Sequence, residues 1–178
     1  MSFRADAIPQ DWDRIAAWLA GRGLLLDLSA PPRQFAGGLA NLNYRVLLNG
    51  APAVFRRPPG GELAHGASDM AREARVLGAL HPVFQLAPRT IAFCDDRAVL
   101  GVDFQLIEYR PGVAIGGTLP DALSVADAGW LLAALTGTLA RLHALEPAAH
   151  GLAGLGKPTG FAERQLKGWT KRAEAAFG

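Results

Sequence analysis

Several residue types are scarce in this 178-residue sequence, and their scarcity excludes whole classes of protein. The single cysteine, Cys94, excludes an internal disulfide and fits a reducing, cytoplasmic setting. No apolar run approaches the roughly 20 residues that span a bilayer, and the opening stretch MSFRADAIPQDW lacks the apolar core of a secretory signal. The formal net charge is only +2, and no block of basic residues is present. We therefore expect a cytoplasmic protein with neither a membrane nor a nucleic acid as its partner.

Lysine and aspartate are missing from long stretches of the sequence. The three lysines are Lys157, Lys167 and Lys171, so any earlier cationic role falls to arginine or histidine. No aspartate follows Asp127. The last part of the sequence therefore lacks a residue type that often accepts protons or holds magnesium in enzymes.

The first part of the sequence is strand-rich. Residues 10–23 have the spacing of one amphipathic helix, but residues 33–57 alternate apolar and polar side chains. The dipeptide Asn49–Gly50 is a hairpin turn signal and divides this stretch into two predicted strands. Two further strand-like pieces follow later in the sequence, one containing TIAFC and one containing FQLIE.

Helices dominate the rest. Ser68 or Asp69 is positioned to cap a helix that ends before Pro82. Two more helical segments follow, and the first of them, SVADAGWLLAALTGTLARLHALEP, is apolar on nearly all sides. A strand-rich part followed by helices predicts an α+β fold.

Two adjacent arginines end the second predicted strand of the hairpin. Neighbours on a strand point to opposite faces, so one of Arg56 and Arg57 should face solvent and the other should face inward. On its helix, Glu73 shares a face with apolar residues, and no residue one turn away from it is a cation. Either Glu73 is solvated at the rim of this face, or it forms an ion pair with Arg56, which shares the face of Val54.

Two other stretches allow a functional and a structural interpretation. The two glycines of FAGGLANLNYRV permit a tight turn with converging N–H groups, which suits a phosphate but also suits an ordinary hairpin. The FQLIEYRPG stretch is either a connector that lends backbone hydrogen bonds to a planar ligand or a core strand that leaves the sheet. Spacing alone does not distinguish these alternatives.

Taken in order, these pieces resemble the aminoglycoside phosphotransferase and choline-kinase-like family, which shares the protein kinase fold. FAGGLANLNYRV resembles the loop that covers the nucleotide, AVFRRPPGG the third strand, and DMAREARVLGAL the helix that carries an ion-pair glutamate. VLGVDFQLIEYRPG resembles the strand that enters the adenine-holding hinge. LARLHALEP and GFAERQLKGWTKR resemble the first helices of the helical lobe, in the bacterial branch often found near acyl-CoA dehydrogenases.

The resemblance covers the chain from about residue 33 onward and implies a division into two lobes. Residues 1–112 would form a kinase-like N-lobe, an antiparallel sheet with one packed helix. Residues 113–178 would begin a helical C-lobe.

The resemblance also implies a binding site for ATP. Arg56 would take the place of the kinase lysine that pairs with the α- and β-phosphates and with the helix glutamate. The glycine turn would lie over the phosphates, and the hinge would contribute mostly backbone atoms. The implied nucleotide-binding residues are Gly37, Gly38, Asn41, Asn43, Arg56, Glu73, Glu108, Tyr109 and Arg110.

One part of the family pattern is absent. Family members need a catalytic loop that begins His-x-Asp, a downstream asparagine and a metal-binding aspartate. The only similar stretch is HGLAGLGK, which has Leu152 where the aspartate should be. The chain therefore looks like the N-terminal portion of a phosphotransferase that moves the γ-phosphoryl group of Mg-ATP to a hydroxyl. By itself it is expected to be inactive, with no catalytic or metal-binding residue of its own.

Two rival functions stay open at this point. The chain could be a non-catalytic kinase-like module for nucleotide sensing or interaction, or an unrelated α+β binding domain. The sequence does not identify the hydroxyl acceptor. In a chain cut before its remaining helices, the apolar segment around Trp130 and Leu135 should be exposed, so we expect self-association.

Overall fold

Five helices and six strands make up the described part of the chain. The computed structural model describes residues 2–36, 40–61, 68–113, 115, 120, 123–157 and 159–177. The helices are α1 (Trp12–Ala20), α2 (Met70–Leu80), α3 (Arg97–Leu100), α4 (Val125–His143) and α5 (Phe161–Phe177). The strands are β1 (Leu26–Asp27), β2 (Arg33–Gln34), β3 (Leu42–Leu48), β4 (Ala51–Arg57), β5 (Thr90–Cys94) and β6 (Phe104–Glu108). This architecture confirms the predicted α+β fold class.

The strands form one antiparallel sheet with β4 at its centre. The order is β1-β3-β4-β6-β5, and β2 pairs with β3 as well. The hairpin between β3 and β4 turns at Asn49 and Gly50, whose φ angles of 51° and 76° are the left-handed values of a tight two-residue turn. Because β3 and β6 flank β4, Arg56 lies directly opposite Asn43 on one side and Gln105 on the other.

The main core lies between α1 and one face of the sheet. The apolar face of α1 contributes Ile15 and Leu19, which are fully buried. Trp12 packs edge-on against Tyr44 and Phe55, with ring centroids 5.2 Å away in each case. The amphipathic pattern of residues 10–23 therefore predicted both the helix and its buried side.

The opposite face of the sheet is covered in part by α2, which packs on β5 and β6. The helix begins at Met70 because the Asp69 side chain accepts a hydrogen bond of 2.8 Å from the Arg72 amide. It ends at Leu80, before Pro82, as predicted. Met70 is buried against the sheet. This placement brings the first turns of α2 to the strands that carry the predicted site.

The chain separates into two compact units, Met1–Leu145 and Glu146–Gly178. The second unit contains two short 3₁₀ turns and α5. This division does not test the lobe boundary proposed at residues 112 and 113, which stays a prediction. None of the helices in the described ranges has the length and apolarity that a bilayer crossing demands.

Helix α4 exposes large apolar side chains. A capping box of Ser124 and Asp127 fixes the start of the helix. Trp130 is 69% exposed, and Leu132, Leu135 and Leu139 are exposed as well. Such a patch on a chain of this size is typical of a surface that contacts other protein.

We expect these side chains to drive self-association, as proposed from the sequence. Light scattering at tens of micromolar should show species larger than a monomer, and the double substitution Leu132→Lys with Leu135→Lys should shift the distribution toward the monomer. Leu25→Lys is the control, because Leu25 is exposed but lies outside α4. A monodisperse monomer of the parent chain would show that this prediction is wrong.

Candidate nucleotide site

An ion pair joins the centre of the sheet to α2. Arg56 Nε lies 2.8 Å from Glu73 Oε1, and the two side chains are 27% and 28% exposed. The predicted pairing of Arg56 with Glu73 is confirmed, and the alternative of a solvated, unpaired Glu73 is excluded. The Glu73 carboxylate faces the sheet from α2, and Arg56 on β4 supplies its counter-charge.

Two asparagines hold the rest of the Arg56 guanidinium. Nη1 donates to Asn43 Oδ1 over 3.1 Å, which follows from their opposite positions on β4 and β3. The hydrogen-bond network selects the amide orientation of Asn41 in which its oxygen accepts from Arg56 Nη2 over 2.9 Å. In that orientation the Asn41 nitrogen donates to the Ala40 carbonyl and to Ser68 Oγ, each over 2.9 Å. Arg56 is thus oriented from three sides.

The guanidinium of Arg56 still has donors to offer. Arginine carries five N–H groups. One Nη1–H and one Nη2–H point to asparagines, while the short Nε contact with Glu73 is an ion pair without hydrogen-bond geometry. Within the described part of the chain, two Nη–H groups are therefore left for another acceptor.

Arg56 and Asn43 line a cavity of about 430 Å³. Its volume lies in the range of small-molecule sites. Val54 and Ile107, opposite each other on β4 and β6, contribute to an apolar lining, and the predicted hinge contributes to the lining as well. The complete lining is Ser2, Phe35, Asn43, Val54, Arg56, Pro88, Ile107, Glu108, Tyr109 and Arg110.

The hinge residues have different roles. The Glu108 amide already donates to the Arg89 carbonyl over 2.8 Å, so it is not free for a ligand. Within the described part of the chain, no backbone hydrogen bond outside the helices and the sheet ladder involves Tyr109 or Arg110. If the hinge contributes backbone atoms to a ligand, they come from these two residues.

The Glu108 carboxylate is part of the scaffold. It accepts a hydrogen bond of 3.1 Å from the Arg89 amide and lies 2.9 Å from Arg110 Nη2. The Arg89 amide, and then the Arg110 side chain, hold the pKa of Glu108 below its ordinary value. The same Arg110 nitrogen donates to the Gln85 carbonyl over 2.7 Å. These bonds fix the start of the hinge to the segment before β5.

A second cavity, of about 360 Å³, adjoins the other partner of the ion pair. Glu73, Asn41 and Ser68 line it, together with other residues of α2. Each partner of the ion pair therefore lines a different cavity, and the two asparagines that hold Arg56 are divided in the same way, Asn43 in the larger cavity and Asn41 in the smaller.

Two predicted residues lie outside the described part of the chain. These are Gly37 and Gly38 of the proposed phosphate-covering turn. The other seven predicted residues are described. Five of them, Asn43, Arg56, Glu108, Tyr109 and Arg110, line the larger cavity. Asn41 and Glu73 contact Arg56 directly.

The expectation that one of the two arginines faces solvent is wrong. Arg57 is half-buried on the α1 side of the sheet, where its Nη1 donates to Gln10 Oε1 over 2.8 Å and its Nε donates to the Pro58 carbonyl. Gln10 in turn donates to the Tyr44 hydroxyl. Burial lowers the pKa of the Arg57 guanidinium, and the hydrogen bonds from its Nη1 and Nε offset part of the cost of that burial. Both arginines are thus partnered, on opposite faces.

Gln105 is a buried polar residue next to the site in the sheet, and the sequence analysis missed it. It is fully buried, opposite Arg56, and its Nε2 lies 4.0 Å from Met70 Sδ while its Oε1 has no partner in the described chain. The signal was present in the sequence: an amide inside the apolar run FQLI is unusual for a core strand. Phe35, Val54 and Ile107 were missed because apolar residues in strands give no functional signal.

The chain matches a phosphotransferase family model and parts of longer proteins. The family model described as "Phosphotransferase enzyme family" matches residues 32–177. Acyl-CoA dehydrogenase family member 10 from Mus musculus is 31% identical over 173 residues, which are 96% of this chain and 16% of that protein. Acyl-CoA dehydrogenase family member 11 from Homo sapiens is 30% identical over 158 residues, which are 89% of this chain and 20% of that protein. The chain thus spans a fifth or less of the length of these relatives.

A solved structure has the same fold. It is a chain from Ralstonia eutropha JMP134 that bears the designation aminoglycoside phosphotransferase. It matches with a TM-score of 0.71 and 24% sequence identity, over 95% of the present chain and 49% of its own. The fold of the sheet and its helices is therefore that of a kinase-like phosphotransferase.

A double-mutant cycle tests the central ion pair. We expect Arg56→Met and Glu73→Gln each to destabilise the chain by about 1–2 kcal/mol, because each leaves a half-buried polar partner without its counterpart. The double variant should lose less unfolding free energy than the two single variants together. We expect a coupling energy of about 1 kcal/mol in urea unfolding.

The exposed pair Arg14–Asp11 on α1 is the matched control for this cycle, with Asp11→Asn chosen to keep the helix cap. Its coupling should be close to zero because solvent screens it. Strictly additive costs for Arg56 and Glu73 would contradict the ion pair.

The stability of the chain should also depend on Glu108 in acid. Its pKa is lowered in the folded chain, so the folded state favours the ionised carboxylate. This contribution is complete above the ordinary glutamate pKa of about 4.3 and is lost as the pH falls through the lowered folded value. The stability difference between the parent and Glu108→Gln should therefore narrow between about pH 6 and pH 3. A difference that is constant or widens toward acid would contradict the assigned hydrogen bonds.

Proposed function

Since this chain belongs to the phosphotransferase enzyme family, we propose that it is the nucleotide-binding part of an ATP-dependent small-molecule phosphotransferase. The complete enzyme would transfer the γ-phosphoryl group to a hydroxyl of its acceptor. The observation that carries the proposal is the Arg56–Glu73 ion pair, set beside a cavity that the hinge also lines.

The cavity suits the base of a nucleotide. Its volume of about 430 Å³ accommodates a purine, and the branched aliphatic side chains of Val54 and Ile107 offer apolar surface for its faces. The backbone groups of Tyr109 and Arg110 would form hydrogen bonds with the edge of the base, since both residues line the cavity just beyond the end of β6. The Glu108 carboxylate holds this part of the backbone in place through Arg89.

Arg56 suits the phosphates. Its two uncommitted Nη–H groups and its positive charge would hold phosphate oxygens, while Glu73, Asn41 and Asn43 keep the guanidinium from turning. A lysine in its place would be a mobile point charge, whereas the planar guanidinium binds a carboxylate and phosphate oxygens at the same time. Bound Mg-ATP supplies the transferable phosphoryl group.

We place the catalytic loop and the metal-binding aspartate outside these 178 residues. No aspartate follows Asp127, and the chain matches only 49% of the solved phosphotransferase chain. Aspartates of this kind accept the proton of the acceptor and hold magnesium. The 178 residues would then bind the nucleotide without turning it over. We also propose a cytoplasmic location, in agreement with the single buried cysteine, Cys94.

A non-catalytic nucleotide sensor is the second candidate. It is favoured by a sequence that retains the nucleotide-holding residues without a later aspartate. The gene sequence beyond residue 178 separates the candidates: a continuation with a His-Gly-Asp motif supports the enzyme, and a stop codon supports the sensor. Steady ATP-dependent phosphorylation by the 178-residue chain would contradict both.

Nucleotide binding is tested by thermal unfolding with and without Mg-ATP. Binding to the folded state raises the unfolding temperature of the parent chain by an amount that grows with the logarithm of the ligand excess. We expect Arg56→Met to weaken ATP binding at least about tenfold, because a charge-assisted contact with phosphate is lost. Arg56→Lys should weaken it less.

The control is Arg97→Met, which removes the same charge from an exposed ion pair with Asp103. It should leave ATP binding unchanged. No effect of Mg-ATP on the parent chain, or equal effects of the Arg56 and Arg97 substitutions, would refute the proposed function.

A further inference from the structure

The segment Ser2–Arg4 pairs with residues 34–36 through an isolated antiparallel bridge. Phe3 pairs with Phe35 in an antiparallel bridge. The Arg4 amide donates to the Gln34 carbonyl over 2.9 Å, and the Ala36 amide donates to the Ser2 carbonyl over 3.1 Å. On its other side, β2 pairs with β3. Ser2–Arg4 thus pairs with the backbone that leads into the predicted glycine turn.

Buried polar groups anchor the residues that follow. Gln34 is only 3% exposed, and its side-chain oxygen accepts a hydrogen bond of 2.8 Å from the Ile8 amide. The Tyr44 hydroxyl donates to the Ile8 carbonyl over 2.6 Å. Gln10 bridges the same hydroxyl to Arg57. Because buried side chains are committed to these contacts, the start of the described chain is fixed to the sheet.

Phe3 belongs to a row of flat side chains that ends at the hinge. Its ring stacks on Phe35 with centroids 5.2 Å apart, and Phe35 lies parallel to Tyr109 with centroids 6.4 Å apart. The Arg33 guanidinium covers Phe3, 3.8 Å from its ring centroid. Phe3 is therefore in contact with both Phe35 and Arg33, and Phe35 lies between Phe3 and Tyr109. Ser2, Phe35 and Tyr109 all line the larger cavity.

We propose that Ser2–Arg4 is a wall of this cavity and determines how tightly it holds the base of a nucleotide. Ser2 contributes to the lining directly, and Phe3 supports Phe35 from behind so that Phe35 and Tyr109 present aromatic surface to a planar heterocycle. The phosphates are held separately, by Arg56. This inference rests on the proposed nucleotide-binding function.

The test measures three probes by isothermal titration of the 178-residue chain: adenosine, ATP and inorganic tripolyphosphate. Phe3→Ala should weaken the binding of adenosine and of ATP about fivefold, because Phe35 loses its support. The affinity for tripolyphosphate should not change. Phe3→Leu, which keeps most of the bulk, should have a smaller effect in the same direction and secures the test against misfolding. Phe161→Ala is the matched control, since it removes the same side chain from an exposed position on α5, outside this segment and outside the residues that line the cavity.

Each outcome supports or overturns a distinct claim. In the first outcome, the parent binds adenosine and both Phe3 variants bind it equally well, with the unfolding temperature of the parent. That outcome overturns the inference, and the proposed function stands. An equal loss of affinity for all three probes also overturns the inference, because the segment would then act on the whole fold. If the parent binds neither ATP nor adenosine, both the inference and the proposed function fail.

Discussion

The arrangement of the site depends on the ion pair between Arg56 and Glu73. Arg56 lies on the central strand of the sheet, and Glu73 lies on α2, which packs on the neighbouring strands β5 and β6. The pair, with exposed fractions near one quarter, has partial access to solvent, so its desolvation is incomplete and its geometry is set by the asparagines around it. Without Glu73, nothing else described on α2 would oppose the charge of Arg56.

The two faces of the sheet have different roles: one packs the core, and the other lines the cavity. On one face, α1 closes an aromatic core around Phe55, and Arg57 ends the strand within a hydrogen-bond network that reaches Gln10. On the other face, Val54 and Arg56 line the cavity. Adjacent residues of β4 therefore serve different purposes because strand geometry alternates their direction. The rigid core on one side allows the other side to keep an open, partly polar cavity.

The parts of this structure that local pattern determines could be predicted from the sequence. The β3–β4 hairpin followed from Asn49–Gly50, the bounds of α2 from Asp69 and Pro82, and the ion pair from a glutamate on an apolar helix face. In each case a few neighbouring residues carry the physical requirement.

The features that the sequence did not predict depend on contacts between residues far apart in the chain. The partner of Arg57 is 47 positions away, so no local pattern pointed to Gln10. Strands β1 and β2 have two residues each, which is too short for any periodicity. The role of Phe3 arises only because its segment pairs with residues more than 30 positions later. Burial of Gln105 likewise follows from the packing of α2 on β6.

The central claim is that Arg56 and the hinge hold the two ends of one nucleotide. The most direct measurement is a nuclear magnetic resonance titration of the labelled chain with a slowly hydrolysed ATP analogue and magnesium. The account predicts shifts of the Arg56 side-chain Nε–H signal and of the Tyr109 and Arg110 amides at one common dissociation constant, with the amides of α1, on the opposite face of the sheet, unchanged. Saturation of the chain without a shift at Arg56, or with shifts confined to α1, would contradict it.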